Sequence, residues 1–186
     1  MRSRSPCAVA EIRVADISKL PTFGDGGHVR MIVESPRGAS VKIKFDPKLF
    51  VFTVGRALAL GLTYPFDWGF IPGTMADDGD PLDALAIHDT ATYPGVVLTC
   101  RVLGVVDVTQ KGPKGQQKNP RLILTPTWHE RLGALEEATG LPPRVMEEIE
   151  QFFVSATFFT GKDPRIKGWR GPEAAKELIR SCAAPG

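Results

Sequence analysis

Short stretches of β-branched and aromatic residues, separated by Pro and Gly, fill the first two thirds of the chain. Residues 41–45 alternate apolar and basic side chains, which is typical of a strand with one buried face. We expect strands at residues 29–34, 41–45, 49–52, 84–87, 96–103 and 122–125. Short strands at such close spacing favour a small antiparallel barrel.

The last third of the chain changes to helical periodicity. Residues 142–157 place Val145, Ile149, Phe152 and Phe153 on one face, and the two prolines at 142 and 143 fit a helix start. Further helices are predicted at 128–138 and 172–181, the latter with Ala175, Leu178 and Ile179 on its buried side. We therefore predict an α+β fold, with a barrel and helices packed outside it.

The composition is that of one ordinary globular domain. The chain has 186 residues, of which 42 % are hydrophobic, and a formal net charge of +2. This charge gives no field that would attract nucleic acid or a membrane. Three scattered cysteines form no disulfide framework, and no apolar run approaches the ~20 residues that cross a bilayer. We expect a cytoplasmic protein.

Three aspartates lie within six residues, in the run Asp78-Gly-Asp80-Pro-Leu-Asp83. On an extended segment residues two apart face the same side, and Pro81 would return Asp83 toward the first two. Such crowded carboxylates indicate a hard divalent cation, and magnesium suits oxygen ligands with room for water and phosphate. An inert, solvated acidic turn is the alternative, whereas Leu82 at the fifth position excludes an EF-hand loop.

The run at 78–83 resembles the signature Asp-Gly-Asp-Pro-x-Asp of the family I soluble inorganic pyrophosphatases. The resemblance covers residues 28–182, which we expect to form a single domain after a lead-in at 1–27 and before a tail at 183–186. It implies a five-stranded antiparallel OB-like β-barrel with flanking C-terminal helices. It also implies Mg²⁺-dependent hydrolysis of pyrophosphate, or of another small phosphorylated substrate, by a homo-oligomer, which is a hexamer in bacterial members.

The resemblance also assigns roles to single residues. Asp78 and Asp83 would bind metal, Asp80 would bind metal and help to activate water, and Glu34 would orient water. The residues that would bind phosphate oxygens are Lys42, Arg56, Tyr64 and Arg121. Gln110 and Asn119 stand where the family has two more metal-binding aspartates, so two anionic ligands are neutral here.

Other positions depart from the family in the same direction. Lys44 replaces a Glu, Trp68 replaces a Tyr, and Ala156-Thr157 replaces a Tyr-Lys pair. Trp68 would narrow the pocket or stack on a ligand's base; alternatively it packs on the barrel wall. The longer connection 110–121 would bring basic residues toward the mouth of the site, or it is a solvated hairpin tip. Those basic residues are Lys111, Lys114, Lys118 and Arg121.

Additional carboxylates near the site are predicted to face solvent. They are Asp77, Asp89 and Asp107, the last of which would turn inward only at a bulge. Because of the departures, the alternative function is a weak or inactive homologue that binds a phosphate-rich ligand, such as a nucleotide, a polyphosphate or a prenyl diphosphate. Binding of single-stranded nucleic acid ranks third, because the aromatic residues look core-bound.

Overall fold

The computed structural model describes residues 16–113, 115–129 and 135–184. Within them the chain forms strands and helices in an α+β order. The strands are β1 (Val29–Ser35), β2 (Val41–Asp46), β3 (Val51–Ala57), β4 (Asp67–Phe70), β5 (Asp83–Ala86), β6 (Val97–Gly112), β7 (Gly115–Lys118), β8 (Arg121–Pro126) and β9 (Arg165–Arg170). The helices are α1 (Pro143–Ser155) and α2 (Pro172–Cys182).

Five strands close into a barrel. They pair in the order β1, β4, β5, β8 and β6, and β6 pairs with β1 again. The predicted OB-like barrel is thereby confirmed, although one pairing differs, because β5 and β8 run parallel to each other. This parallel pair brings the first residues of β5 and β8 to the same edge of the barrel.

The other strands lie outside the closed ring. β6 continues past the barrel, pairing there with β7 and β9, which explains why it is longer than the predicted 96–103. β2 and β3 form a separate hairpin. The predicted strand at 49–52 was partly wrong, because Leu49 and Phe50 lie in the turn between β2 and β3, where Phe50 has a positive φ of 55°. β4, β7 and β9 were not predicted.

Both C-terminal helices begin with proline in the first turn, where the missing N–H leaves no bond unmade. α1 buries Ile149, Phe152 and Phe153, as its periodicity predicted.

The predicted helix at 128–138 is wrong for its described part. Residues 127–128 form a turn, closed by the His129 N–H bonding the Pro126 carbonyl at 3.1 Å, and residues 130–134 lie outside the described ranges.

The core has two apolar layers, one that includes buried residues of α2 and one that includes buried residues of α1. The short strands β5 and β8 contribute to both layers. Leu122 and Leu124 pack with the first layer, whereas Ile123 packs with the second. Because these strands are buried on both faces, the backbone positions of their first residues, Asp83 and Arg121, are fixed by the core.

The first and last described segments of the chain meet at the turn formed by Pro72 and Gly73. The Gly73 N–H donates to the Ser18 carbonyl at 2.9 Å, and the Ala184 N–H donates to the Gly73 carbonyl at 2.8 Å. The Thr22 hydroxyl also donates to the Pro72 carbonyl at 2.9 Å.

The domain bounds 28–182 stay a prediction. Neither α1 nor α2, nor any other helix in the described ranges, is long and apolar enough to cross a membrane.

Candidate active site

A charged cleft opens beside the first residues of β5 and β8. It has a volume of about 100 Å³ and brings together all of the predicted site residues except Glu34. Those residues are Lys42, Arg56, Tyr64, Asp78, Asp80, Asp83, Gln110, Asn119 and Arg121. They come from the hairpin, the barrel and the connecting loops, so only the folded chain assembles them.

The aspartate loop reaches the cleft by a route that differs from the prediction. Residues 77–80 are a turn and not an extended segment, because Gly79 adopts a φ of 85° and its N–H bonds the Ala76 carbonyl at 3.0 Å. Asp78 and Asp80 project from this exposed turn, whereas Asp83 is the first residue of β5. Among the described residues, no three Asp, Glu, His or Cys side chains converge as a ready cation cage.

Arg121 lies at the centre of the polar contacts. β5 and β8 pair in parallel, with Ala84 opposite Leu122. Asp83 and Arg121 come immediately before these two residues, so they lie side by side at the start of the two strands. The Nη1 group of Arg121 donates to Asp83 Oδ2 and also to Asn119 Oδ1. Its Cζ lies 5.1 Å from the centroid of the Trp68 ring, which is within the range of a cation–π contact.

Basic side chains outnumber aspartates around the cleft. Five line it, against three aspartates; the five are Lys42, Lys44, Arg56, Arg121 and Lys162. Lys44 Nζ lies 3.7 Å from Asp80 Oδ2, and Arg56 donates to the Ala156 carbonyl at the end of α1. Burial lowers the pKa of Lys42, although the nearby Asp83 charge opposes this shift. The cleft is therefore suited to a multiply charged anion.

An aromatic wall forms one side of the cleft. The Tyr64 ring lies 5.0 Å from that of Phe152, and the Trp68 ring lies 6.0 Å from that of Phe153. Trp68 is only 5 % exposed, so it packs on the wall, as one of its predicted alternatives stated. Arg121 lies over its ring. Burial raises the pKa of Tyr64, which keeps the hydroxyl protonated as a donor.

Glu34 faces a second cavity that adjoins the cleft. This cavity is larger, at about 680 Å³, and shares Lys44, Asp80 and Asp83 with the cleft. Glu34 is 6 % exposed, and its Oε1 accepts from the Phe45 N–H at 2.9 Å. Burial raises the pKa of Glu34 to about 7; the Phe45 N–H opposes the shift, and the negative Asp83 adds to it. We place the chemistry in the smaller cleft, because the charges converge there.

Two buried polar atoms beside the cleft have no hydrogen-bond partner among the residues that the structure describes. Gln110 is 1 % exposed and its Oε1 accepts no bond, while the Trp68 Nε1–H donates none. An amide oxygen near carboxylates suits a hard divalent cation or its water, and an indole N–H suits an anion. The set of oxygen donors therefore fits a divalent cation accompanied by a phosphate.

The basic residues of the 110–121 connection separate into two groups. Arg121 reaches the cleft, but Lys111 pairs with Asp163 at 3.4 Å and Lys118 is exposed on β7. Neither lines the cleft, because β6 and β7 form a hairpin that carries them away, with Gln110 opposite Gln117. The hairpin-tip alternative thus holds for these two lysines, and Lys114 lies outside the described residues.

The additional carboxylates do not line the cleft. A register shift does occur between Asp107 and Val108, but Asp107 binds Arg170 through two hydrogen bonds of 2.6 and 2.7 Å. Asp89 lies 3.0 Å from His129 Nε2, and Asp77 is exposed. The predicted solvent-facing position is therefore confirmed for Asp77 and Asp89, which are both exposed, whereas Asp107 is half-buried and pairs with Arg170.

Sequence reasoning missed two groups. Lys162 lines the cleft from the turn after α1, and a lone lysine in such a turn gives no signal in the sequence. The other is a buried pair in which His88 Nε2 lies 3.0 Å from Asp67 Oδ2. Although burial opposes ionisation, hydrogen bonds from His88, Thr92 and the Arg37 N–H hold the pKa of Asp67 below its ordinary value. This pair anchors β4, which carries Trp68.

Comparison with known proteins identifies the family to which this cleft belongs. The family model for inorganic pyrophosphatase matches residues 31–185, most of the chain. The chain belongs to the inorganic pyrophosphatase family. A pyrophosphatase from Thermus thermophilus is 35 % identical over 176 residues, covering 92 % of this chain and 98 % of the relative. One from a Synechocystis species is 32 % identical over 167 residues, covering 90 % and 96 % respectively.

Solved structures of pyrophosphatases share the fold. The crystal structure from Thermus thermophilus superposes with a TM-score of 0.83 at 34 % identity, covering 90 % of this chain and 97 % of that one. The enzyme from Neisseria gonorrhoeae gives 0.80 at 29 % identity, covering 90 % and 96 %. The pyrophosphatase family is metal-dependent, which agrees with the oxygen donors around the cleft.

Proposed function

We propose that this chain is a magnesium-dependent inorganic diphosphatase that hydrolyses pyrophosphate to two phosphates. The observation that carries the proposal is the meeting of Asp78, Asp80 and Asp83 with five basic side chains in one cleft. Aspartates alone would repel the substrate, and basic side chains alone would bind it without activating water. Both kinds of group are needed for hydrolysis of a phosphoanhydride.

Magnesium would be held by the oxygen atoms of the cleft. Asp78, Asp80 and Asp83 provide carboxylates, while Gln110 and Asn119 provide amide oxygens. When bound, the ion supplies positive charge beside the phosphate oxygens and lowers the pKa of a nearby water. Because two of these five ligands are neutral amides, we expect weaker binding of the free ion than five carboxylates would give.

Substrate binding falls to the donors opposite the aspartates. Lys42, Arg56, Tyr64 and Arg121 would hold the phosphate oxygens in the cleft. When the water oxygen forms its bond to one phosphorus, the bridging P–O bond breaks and its electron pair stays on the departing phosphate. The guanidinium and ammonium groups stabilise the charge that grows there.

Two carboxylates have roles in proton movement. Asp80 would accept a proton from the attacking water at a carboxylate oxygen, and it is one of the residues that line both the cleft and the Glu34 cavity. Glu34, fixed by the Phe45 N–H, would orient water in that cavity. A pKa of about 7 lets Glu34 hold or release a proton near neutral pH.

The remaining context follows from the family. We propose a single domain over 28–182, a cytoplasmic location, no binding of nucleic acid or membrane, and assembly as a homo-oligomer, with the hexamer as the expected state.

Phosphate release from pyrophosphate, measured across a magnesium series, tests the activity. Asp80→Asn is the matched control, because it keeps the shape of the side chain and removes the proton acceptor. We expect wild-type turnover that requires magnesium and falls by at least ~10²-fold in the variant. Wild-type release no faster than that of Asp80→Asn would contradict the proposal.

A second function is favoured by the excess of basic side chains over aspartates and by the Arg121–Asp83 contact. In this alternative the chain binds a phosphate-rich ligand, such as a nucleotide, polyphosphate or prenyl diphosphate, and hydrolyses it weakly or not at all. Tripolyphosphate and a nucleoside triphosphate, run beside pyrophosphate, distinguish the two. Binding of either without phosphate release would favour the alternative.

A further inference from the structure

Arg121 lies where a cation would bridge two oxygen ligands. Its Nη1 group contacts both Asp83 Oδ2 and Asn119 Oδ1, one charged oxygen and one neutral oxygen on neighbouring segments. A divalent ion between the same two oxygens would have to displace the guanidinium. The two cations therefore compete for one position.

The guanidinium is fixed in this position by its surroundings. Arg121 is 7 % exposed, and the Trp68 ring lies on one side of it. A guanidinium cannot lose its charge at any physiological pH. A free ion would therefore have to break the contacts of the guanidinium with Asp83 and Asn119 in order to enter.

The geometry points to Arg121 as a built-in cation that fills one divalent-ion position, between Asp83 and Asn119. The resting protein then binds one divalent ion fewer than its oxygen ligands would otherwise hold. This inference rests on the proposed function only in taking the cleft as a metal-dependent phosphate site. The substrate would meet a permanent positive charge there. Arg121 lines the cleft together with Lys42 and Arg56, and its remaining N–H groups would be donors for phosphate oxygens.

The other basic partner of the aspartate loop provides a control. Lys44 Nζ is 3.7 Å from Asp80 Oδ2, but the two side chains are 48 % and 70 % exposed. An exposed pair of this kind is worth little and moves aside readily. Lys44 thus changes the charge of the cleft by the same amount as Arg121 without filling an ion position.

The test counts bound Mn²⁺ ions by the electron paramagnetic resonance signal of free Mn²⁺, on metal-free protein without substrate. We expect Arg121→Gln to bind one more Mn²⁺ per chain than the wild type, and Lys44→Gln to bind the wild-type number. An equal number in Arg121→Gln and the wild type would overturn the inference. So would an equal gain in Lys44→Gln, because the effect would then be one of overall charge.

A second variant covers the case in which Arg121→Gln fails to fold. Asn119→Asp adds a carboxylate but leaves the guanidinium in place, so we expect no additional Mn²⁺; a gain of one ion would overturn the inference. Phosphate release is measured separately. A changed Mn²⁺ count without hydrolysis would contradict the proposed function alone, and hydrolysis with an unchanged count would contradict the built-in cation alone.

Discussion

Glu34 illustrates how burial changes the protonation of a single carboxyl group. Its side chain is nearly excluded from water, and its Oε1 accepts a hydrogen bond from the Phe45 N–H. Burial disfavours the charged form, and the Asp83 charge disfavours it further. The protein therefore keeps a carboxyl group that is half protonated near neutral pH.

Glu34→Gln should become more stable relative to the wild type as the pH rises. Below about 4.5 the carboxyl is protonated in both the folded and the unfolded states, but the folded pKa is about 7. Between these values the unfolded chain loses its proton first, so the wild type loses up to ~3 kcal/mol of stability and the variant does not.

Urea unfolding in EDTA at pH 4.5 and pH 8 measures this difference. Glu147→Gln, on the exposed face of α1, is the matched control and should show no pH-dependent difference from the wild type. Parallel stability curves for Glu34→Gln and the wild type would show that the native carboxyl titrates normally.

At the scale of elements, the close pairing of β1 with β4 positions the aromatic wall. Val33 lies opposite Gly69, and a Cβ at Gly69 would come within 1.8 Å of the Ile32 carbonyl oxygen. Only glycine fits at that distance, and Trp68 is its direct neighbour. β4 pairs in turn with β5, where Trp68 lies opposite Leu85. Asp83 is the first residue of β5.

Gly69→Ala should therefore weaken both the barrel and the site. We expect a loss of ~2–4 kcal/mol in the free energy of unfolding, because the backbone of β1 must move. Gly55→Ala is the control within a strand, since its nearest contact would be 3.4 Å, and it should change stability by less than ~1 kcal/mol. The midpoints of urea unfolding of the two variants measure these losses of stability. Similar losses in both variants would contradict the steric argument.

The sequence predicts the elements that have a regular apolar pattern and misses those without one. β1 is almost fully buried, β2 alternates apolar and basic residues, and α1 and α2 bury residues at helical spacing; each of these elements was predicted. β7 has the sequence Gly-Gln-Gln-Lys, with no apolar residue, and it pairs with the last residues of β6, at the end of that strand that leaves the barrel. β4 contains the glycine that tertiary contact requires, and this glycine lowers its apparent strand propensity.

The candidate site shows the same limit. The aspartate signature and the basic residues that match the family could be identified from the sequence, because residue type and order alone define them. The Arg121 contact with Asp83 was not, since the two lie 38 residues apart and meet through a parallel register that no local pattern reveals. Lys162 lies beyond the end of α1, and its place in the cleft is likewise a property of the assembled fold.

The whole molecule exposes several large apolar side chains. Among the described residues, Leu49 and Val54 project from the β2–β3 hairpin, and Phe158 and Phe159 follow α1. Scattered apolar residues are ordinary on a protein surface, but neighbouring ones are typical of contacts between chains. This surface is compatible with the homo-oligomer proposed above.

Light scattering coupled to size-exclusion chromatography should give a mass that is a multiple of the 20.2 kDa chain, and six times that mass for the expected hexamer. Val54→Glu, on the exposed face of the hairpin, should lower the mass if the hairpin lies in an interface. Elution of the wild type at the mass of one chain, across a concentration series, would contradict the oligomer.

β8 is the last of the five barrel strands along the chain, and it must fit between β5 and β6 before the ring is complete. Arg121, its first residue, reaches the Trp68 ring only at that moment. The indole of Trp68 is therefore a natural optical probe. In a stopped-flow refolding experiment on a chain with Trp128 and Trp169 replaced by Phe, its fluorescence would report the time at which the ring closes, and closure and assembly of the cleft would be one kinetic event.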